Sequence, residues 1–210
     1  MDGVLIDSEI YWENINERYF RLKGVSSNSN LLKKLMGRDE MDIARILKDD
    51  FDFKDSVGRI IKERKSLSEE IYTQRCAPLN GADKLIKRIY GKGLSLAVAS
   101  SSELERIELI VDRFNWNKYF SFLISSDKED FPGKPAPDIY LHTAKRFHIE
   151  PENCLVFEDS ENGIVAAKKA GMQCVAVLDR RWEHGDTSSA DLSVESLEDE
   201  AIYKFLNLHF

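Results

Sequence analysis

The sequence predicts an α/β protein, a parallel sheet with helices on both faces, carrying an inserted helical segment. Two observations point there. Residues 9–79 are charged and helix-patterned, with their only proline, Pro78, near the end; after Gly81, short β-rich apolar runs alternate with amphipathic stretches of helical length. Strands that alternate with helices imply right-handed crossovers and parallel pairing, since a parallel neighbour is reached only through a long connection.

Taken in order, IYWENINERYFRLKG places Ile10, Ile15, Tyr19 and Leu22 at helical spacings, with Gly24 as the stop. The runs LLKKLMG, MDIARILKDDF and VGRIIKERKSLSEEIYTQR continue that character. After PLNGADKLIKRI come LSLAVAS, a helix over residues 102–114, SFLIS, PDIYLHTAKRFH, CLVFE, GIVAAKKAGM and CVAVL, which read β-α-β-α-β-α-β. The chain thus divides into a core, residues 1–9 and 80–210, and a helical insert, residues 10–79. RRWEHGDTSSAD reads as a polar late loop. The apolar VLI after Gly3 is too near the terminus for a full strand, so the first core strand is expected to be missing ahead of Met1.

Composition narrows the function classes. A chain of 210 residues, 42% hydrophobic, can bury a sizeable core. Its net charge of −7 argues against a general affinity for nucleic acid. No apolar run approaches the ~20 residues that span a bilayer, and no segment resembles a signal peptide, so a soluble, cytoplasmic protein is expected. Cys76, Cys154 and Cys174 form an odd set without metal-ligand spacing, which reads as small buried thiols in a reducing compartment. Nothing in the sequence fixes an oligomeric state.

Ligands of parallel α/β sheets lie at the carboxyl ends of the strands. The residues there are Ser100 after LAVA, Ser125 to Asp127 after FLI, and Glu158 and Asp159 after CLVF. With Asp2 and Lys134 they describe a phosphate and magnesium site. Carboxylates supply the hard oxygens that Mg2+ prefers. A serine hydroxyl with neighbouring backbone amides can hold phosphoryl oxygens at a strand-to-helix turn, and an ammonium offsets charge on phosphate and nucleophile. Singly, each has a plainer reading: a solvated terminal aspartate, a helix cap at Ser100 to Ser102, a turn lysine. The adjacent Glu158 and Asp159 are harder to explain that way, because they repel unless a cation or hydrogen bonds stabilise them.

The order of these elements resembles the haloacid-dehalogenase-like phosphohydrolase superfamily, in the helical-cap branch that includes β-phosphoglucomutase-like and phosphoglycolate-phosphatase-like members. MDGVLIDSE is similar to the latter part of the DxDGxxxDSE motif, AVASSS to the strand-ending hydroxyl motif, GKPAPDIY to the lysine motif and VFEDSENGIVAAKKAGM to the acidic motif. The resemblance implies a Rossmann-like core with a helical cap. It makes Asp2 the general acid/base with its main-chain carbonyl on Mg2+, and Ser100, with Ser101 and Ser102, the phosphate grip. Lys134 becomes the charge-offsetting cation, Asp159 a metal ligand and Glu158 a direct or water-mediated one. Arg38, in LMGRDEMD, matches a cap position that contacts substrate. Tyr11 and Trp12 read as core packing from their helical spacing with Ile15 and Tyr19, and His142, His148 and His184 receive no role.

The implied reaction is hydrolysis of a small phosphorylated metabolite, such as a sugar phosphate, through an aspartyl-phosphate intermediate. Its nucleophile would stand two residues before Asp2, a position this sequence does not contain, so the chain as given is expected not to turn over. Two alternatives stand beside it: a sugar-phosphate mutase and a non-catalytic phosphate-binding relic. Mutases of this branch commonly carry a histidine where spacing here puts Trp12, which favours hydrolysis.

Overall fold

A computed structural model describes residues 1–25, 35, 38, 40–51, 53–126 and 132–209. Most of the predicted helical run LLKKLMG, and Asp127, lie outside the described residues.

The insert contributes α1 (Glu9–Leu22), α2 (Glu40–Asp50) and α3 (Val57–Glu70), the last running into a π-turn, Ile71–Arg75. Helix α1 buries Tyr19 and Phe20 and ends where Gly24 adopts a φ of +70°, a conformation open to a residue without a Cβ. Leu22, read as part of the apolar stripe, is exposed, and Phe20 takes the inward place. Ser56 caps α3 by accepting a hydrogen bond from the Arg59 amide. The three helices enclose a core of their own around Tyr19, Phe20, Ile43, Leu47, Phe53 and Ile60.

The core follows as α4 (Ala82–Gly91), β1 (Ala97–Ser100), α5 (Leu104–Arg113), β2 (Phe122–Ser125), α6 (Asp138–Phe147), β3 (Leu155–Glu158), α7 (Glu161–Lys169), β4 (Gln173–Val177), β5 (Leu192–Val194) and α8 (Glu200–His209). All strand pairs are parallel, as the alternation predicts. Helices α4, α5 and α8 pack in one cluster, with Ile86, Ile107, Ile110 and Ile202 buried. Helices α6 and α7 pack in a second, around Ile139, Tyr140, Ile164 and Ala167. Burying one such large aliphatic side chain contributes ~1.5–3 kcal/mol relative to leaving it in water, so these two layers fix the sheet.

Strand β5 and helix α8, which were not foreseen, extend the core beyond the seven elements expected. Among the described residues the strands form two sheets, β1-β2 and β3-β4-β5. Between β1 and β3 lies an apolar slot of about 260 Å³, lined by Met1, Val98, Leu155 and Phe157 among others. Among the described residues no helix is long and apolar enough to cross a membrane. Cys76 and Cys174 are buried and all three cysteines are free thiols.

Candidate active site

The chain start folds as a tight turn beneath the insert, with amides of Leu5 and Gly3 bonded to Met1 and Ile6 carbonyls. This turn sets Asp2 at the carboxyl ends of the strands, in a cleft of about 680 Å³ between core and insert. Asp2 Oδ1 accepts hydrogen bonds from Ser8 Oγ at 2.6 Å and Tyr72 Oη at 2.8 Å, and Oδ2 accepts one from Ser102 Oγ at 2.6 Å. Burial pushes this carboxyl up, but the amino terminus and the three hydroxyls outweigh it and hold it below its ordinary value. Tyr72 comes from the π-turn and itself accepts a bond from Trp12 Nε1 at 3.2 Å. The insert thus reaches the acid through a hydroxyl.

Ser100 is buried at the end of β1, its Oγ accepting from the Ser102 amide at 3.1 Å. Ser125, ending β2, donates to the Ser102 carbonyl at 2.6 Å and so braces the turn. Ser100, Ser101, Ser102, Lys134, Glu158, Asp159 and Arg38 all line the one cleft that holds Asp2. The residues singled out from the sequence are therefore brought together.

Their pairing is less uniform than the motifs imply. Lys134 is ion-paired with Glu158 and both side chains are buried. Glu158 Oε1 also accepts from Tyr140 Oη at 2.6 Å, while Oε2 takes the Asp159 amide at 3.1 Å and Ser160 Oγ at 3.2 Å. Burial opposes the Glu158 charge, yet Lys134 and Tyr140 pull its pKa down to about 2. Asp159, the next residue, goes the other way: burial and then the Glu158 charge push it up to about 7. Glu9 is raised well above its ordinary value by burial, then by Asp159 and Asp2.

Close backbone approach brings Asp159 to the Asp2 turn. A Cβ on Gly3, which has a φ of +63°, would stand 1.9 Å from Asp159 Oδ2, so only glycine admits the carboxyl there. Asp159, Asp2 and Glu9 thus stand close enough to act on one another, and among the described residues none of the three is ion-paired with a basic side chain. The donor set fits a hard divalent ion. Among the described residues, no three or more His, Cys, Asp or Glu side chains form a metal-binding group. Magnesium does not need one, because it commonly takes one or two carboxylates and completes its shell with water and phosphate.

Several participants escaped the sequence. Tyr72 and Arg106 sit in segments with no motif, Tyr140 was quoted only as the end of GKPAPDIY, and Glu9 only as part of the DSE run. His184, given no role, bridges the loop after β4 to the acidic turn: its ring nitrogens lie 2.7 Å from the Asp159 carbonyl and 2.8 Å from the Asp179 carbonyl. Trp12, read as core packing, also lines the cleft.

Residues 1–177 match the family model of the haloacid dehalogenase-like hydrolases. The chain belongs to this family. Within the haloacid dehalogenase-like hydrolases it is 32% identical over 209 residues to the (DL)-glycerol-3-phosphatase 1, mitochondrial, of Arabidopsis thaliana, covering 95% of this chain and 69% of that protein. It is likewise 32% identical over 206 residues to the probable pseudouridine-5'-phosphatase of Drosophila melanogaster, covering 95% and 88%. Among solved structures, the putative β-phosphoglucomutase of Thermotoga maritima superposes with a TM-score of 0.72 at 27% identity, covering 98% of this chain and 96% of that one. Family and relatives class the chain with enzymes of the phosphatase type.

Proposed function

We propose that this haloacid dehalogenase-like chain carries the active site of a magnesium-dependent phosphohydrolase for a small phosphorylated metabolite, such as a sugar phosphate, in the cytoplasm. The observation that supports it most is the convergence of Asp2, Ser100, Lys134 and Asp159 on one cleft at the strand ends. In this reading residues 10–79 form the cap over a core of residues 1–9 and 80–210. Ser100 and the amides of Ser101 and Ser102 bind the phosphoryl oxygens, and Lys134, held in place by Glu158, offsets their charge. Asp159 and the Asp2 carbonyl hold Mg2+, with Glu158 behind them. When bound, the ion draws charge from the phosphoryl oxygens.

Asp2 is the proton carrier: it protonates the leaving alcohol and then takes a proton from the water that opens the aspartyl phosphate. The attacking carboxylate belongs two residues before Asp2. A form that carries this carboxylate, on an apolar strand ending in Phe-Asp, is proposed to hydrolyse the phosphomonoester. Trp12, which cannot carry a proton as histidine does, lines the cleft, and this favours hydrolysis over return of the phosphoryl group to a second hydroxyl.

The test is an assay of the extended form on a panel of phosphomonoesters with and without Mg2+, with products followed by phosphorus NMR. Magnesium-stimulated release of inorganic phosphate is expected. No release from any substrate overturns the reading, and an isomeric sugar phosphate as product points to the mutase.

A further inference from the structure

Two buried arginines lie over the Trp12 ring where the insert meets the core, and they are treated differently. Arg64, on α3, is 1% exposed and fully engaged: Glu40 accepts at 2.8 and 3.3 Å and Asn16 Oδ1 at 2.7 Å. Arg106, in the first turn of α5, is 9% exposed, and its guanidinium donates to Ser68 Oγ at 3.1 Å. Among the described residues no carboxylate lies within 4.0 Å of it. The acids near enough to act on it are Tyr72, Asp2, Glu40 and Glu103. Each is already engaged: Asp2 by three hydroxyls, Glu40 by Arg64, Glu103 by Lys65 at 2.6 Å, and Tyr72 through its bonds to Asp2 and Trp12.

A buried guanidinium without a counter-ion is costly, because it has lost water and gained no anion. The Tyr72 ring, 4.2 Å below the guanidinium, offsets part of that. Arg106 lines the cleft that holds Asp2. Placement completes the case. Arg106 lies in the first turn of α5, the helix that follows the Ser100–Ser102 turn, and it rests on the ring whose hydroxyl bonds Asp2. An anion on Arg106 would therefore sit one tyrosine ring away from the acid, on the insert side of the phosphate turn.

We propose that Arg106 binds a second anionic group of the substrate, so that the cleft selects phosphomonoesters bearing a further carboxylate or phosphate. Guanidinium is suited to this role, since its planar fork meets either anion through two parallel hydrogen bonds. The proposal rests on the phosphate-site reading above and names the substrate class for it.

Binding to the 210-residue chain with magnesium present separates the two claims. The probes are ethyl phosphate, carboxymethyl phosphate and ethane-1,2-diol bisphosphate, titrated by calorimetry. The dianionic-ended probes are expected to bind about tenfold or more tightly than ethyl phosphate, as one charge-assisted pair warrants. Arg106→Gln should erase that preference while leaving ethyl phosphate within about twofold, and Arg106→Lys should restore part of it. Ethyl phosphate binding without any preference in the unaltered chain overturns the assignment of Arg106, as does a preference that survives Arg106→Gln. Failure of all three probes to bind instead overturns the phosphate site itself.

Discussion

At the strand ends, Lys134, Glu158 and Tyr140 form a buried group in which each charge or hydroxyl has its partner inside the protein. Around the Asp2 turn the arrangement is the reverse: Asp2, Glu9 and Asp159 act on one another, and among the described residues no basic side chain is ion-paired with them. The contrast is sharpest across one peptide bond, where Glu158 is pulled down to about 2 and Asp159 is pushed up to about 7. Balanced charge holds the fold, whereas charge left unbalanced in a cleft marks what the cleft binds. Arg64 and Arg106 repeat the lesson with the opposite sign.

The comparison breaks most easily at Glu158. Glu158→Ala leaves the Lys134 ammonium buried without a counter-ion, and a loss of ~3–5 kcal/mol is expected in urea unfolding. Asp159 should behave in the opposite way. In the metal-free chain its raised pKa means that the folded state holds a proton the unfolded state releases. That contribution is present below the ordinary value of 3.8 and is lost as pH rises through about 7. The thermal midpoint of metal-free protein should therefore fall between about pH 5 and pH 8, Asp159→Asn should flatten the fall, and Mg2+ should raise the midpoint at the alkaline end. Unchanged midpoints on adding Mg2+ would remove the cation from this account.

Gly3→Ala tests the approach between the two acidic motifs. A Cβ there meets Asp159 and the left-handed backbone is strained, so a loss of ~1–3 kcal/mol with weaker Mg2+ binding is expected by unfolding and calorimetry. Tyr72→Phe should have the smallest effect. It removes one of three donors to Asp2 and leaves the Trp12 N–H without its acceptor, at ~0.5–1.5 kcal/mol by urea unfolding.

The sequence foretold much of this because most signals are local. Alternating apolar runs gave the parallel strands, and the helical spacing through Ile15 and Tyr19 gave α1. Strand β5 was hidden because Leu192–Val194 is three residues long and follows a polar loop. Helix α8 was passed over although Ile202 and Leu206 stand at helical spacing. At the site, motif order located Asp2, Ser100, Lys134 and Asp159. Which way Glu158 faces depended on Tyr140, and how Asp2 is held depended on Tyr72, seventy residues away. His184 had no local signal, since its partners are main-chain carbonyls that a sequence does not display.

The slot between β1 and β3 has a consequence for assembly. Among the described residues β1 pairs only with β2 and β3 only with β4, so each leaves an unladdered edge, and residues of both line the same apolar space. One extended apolar segment laid there in parallel would zip both edges at once, fusing the sheets into a six-stranded ribbon in the order β2, β1, the new strand, β3, β4, β5. Met1 already stands at the wall of that seam, so the end of such a strand would arrive beside Asp2.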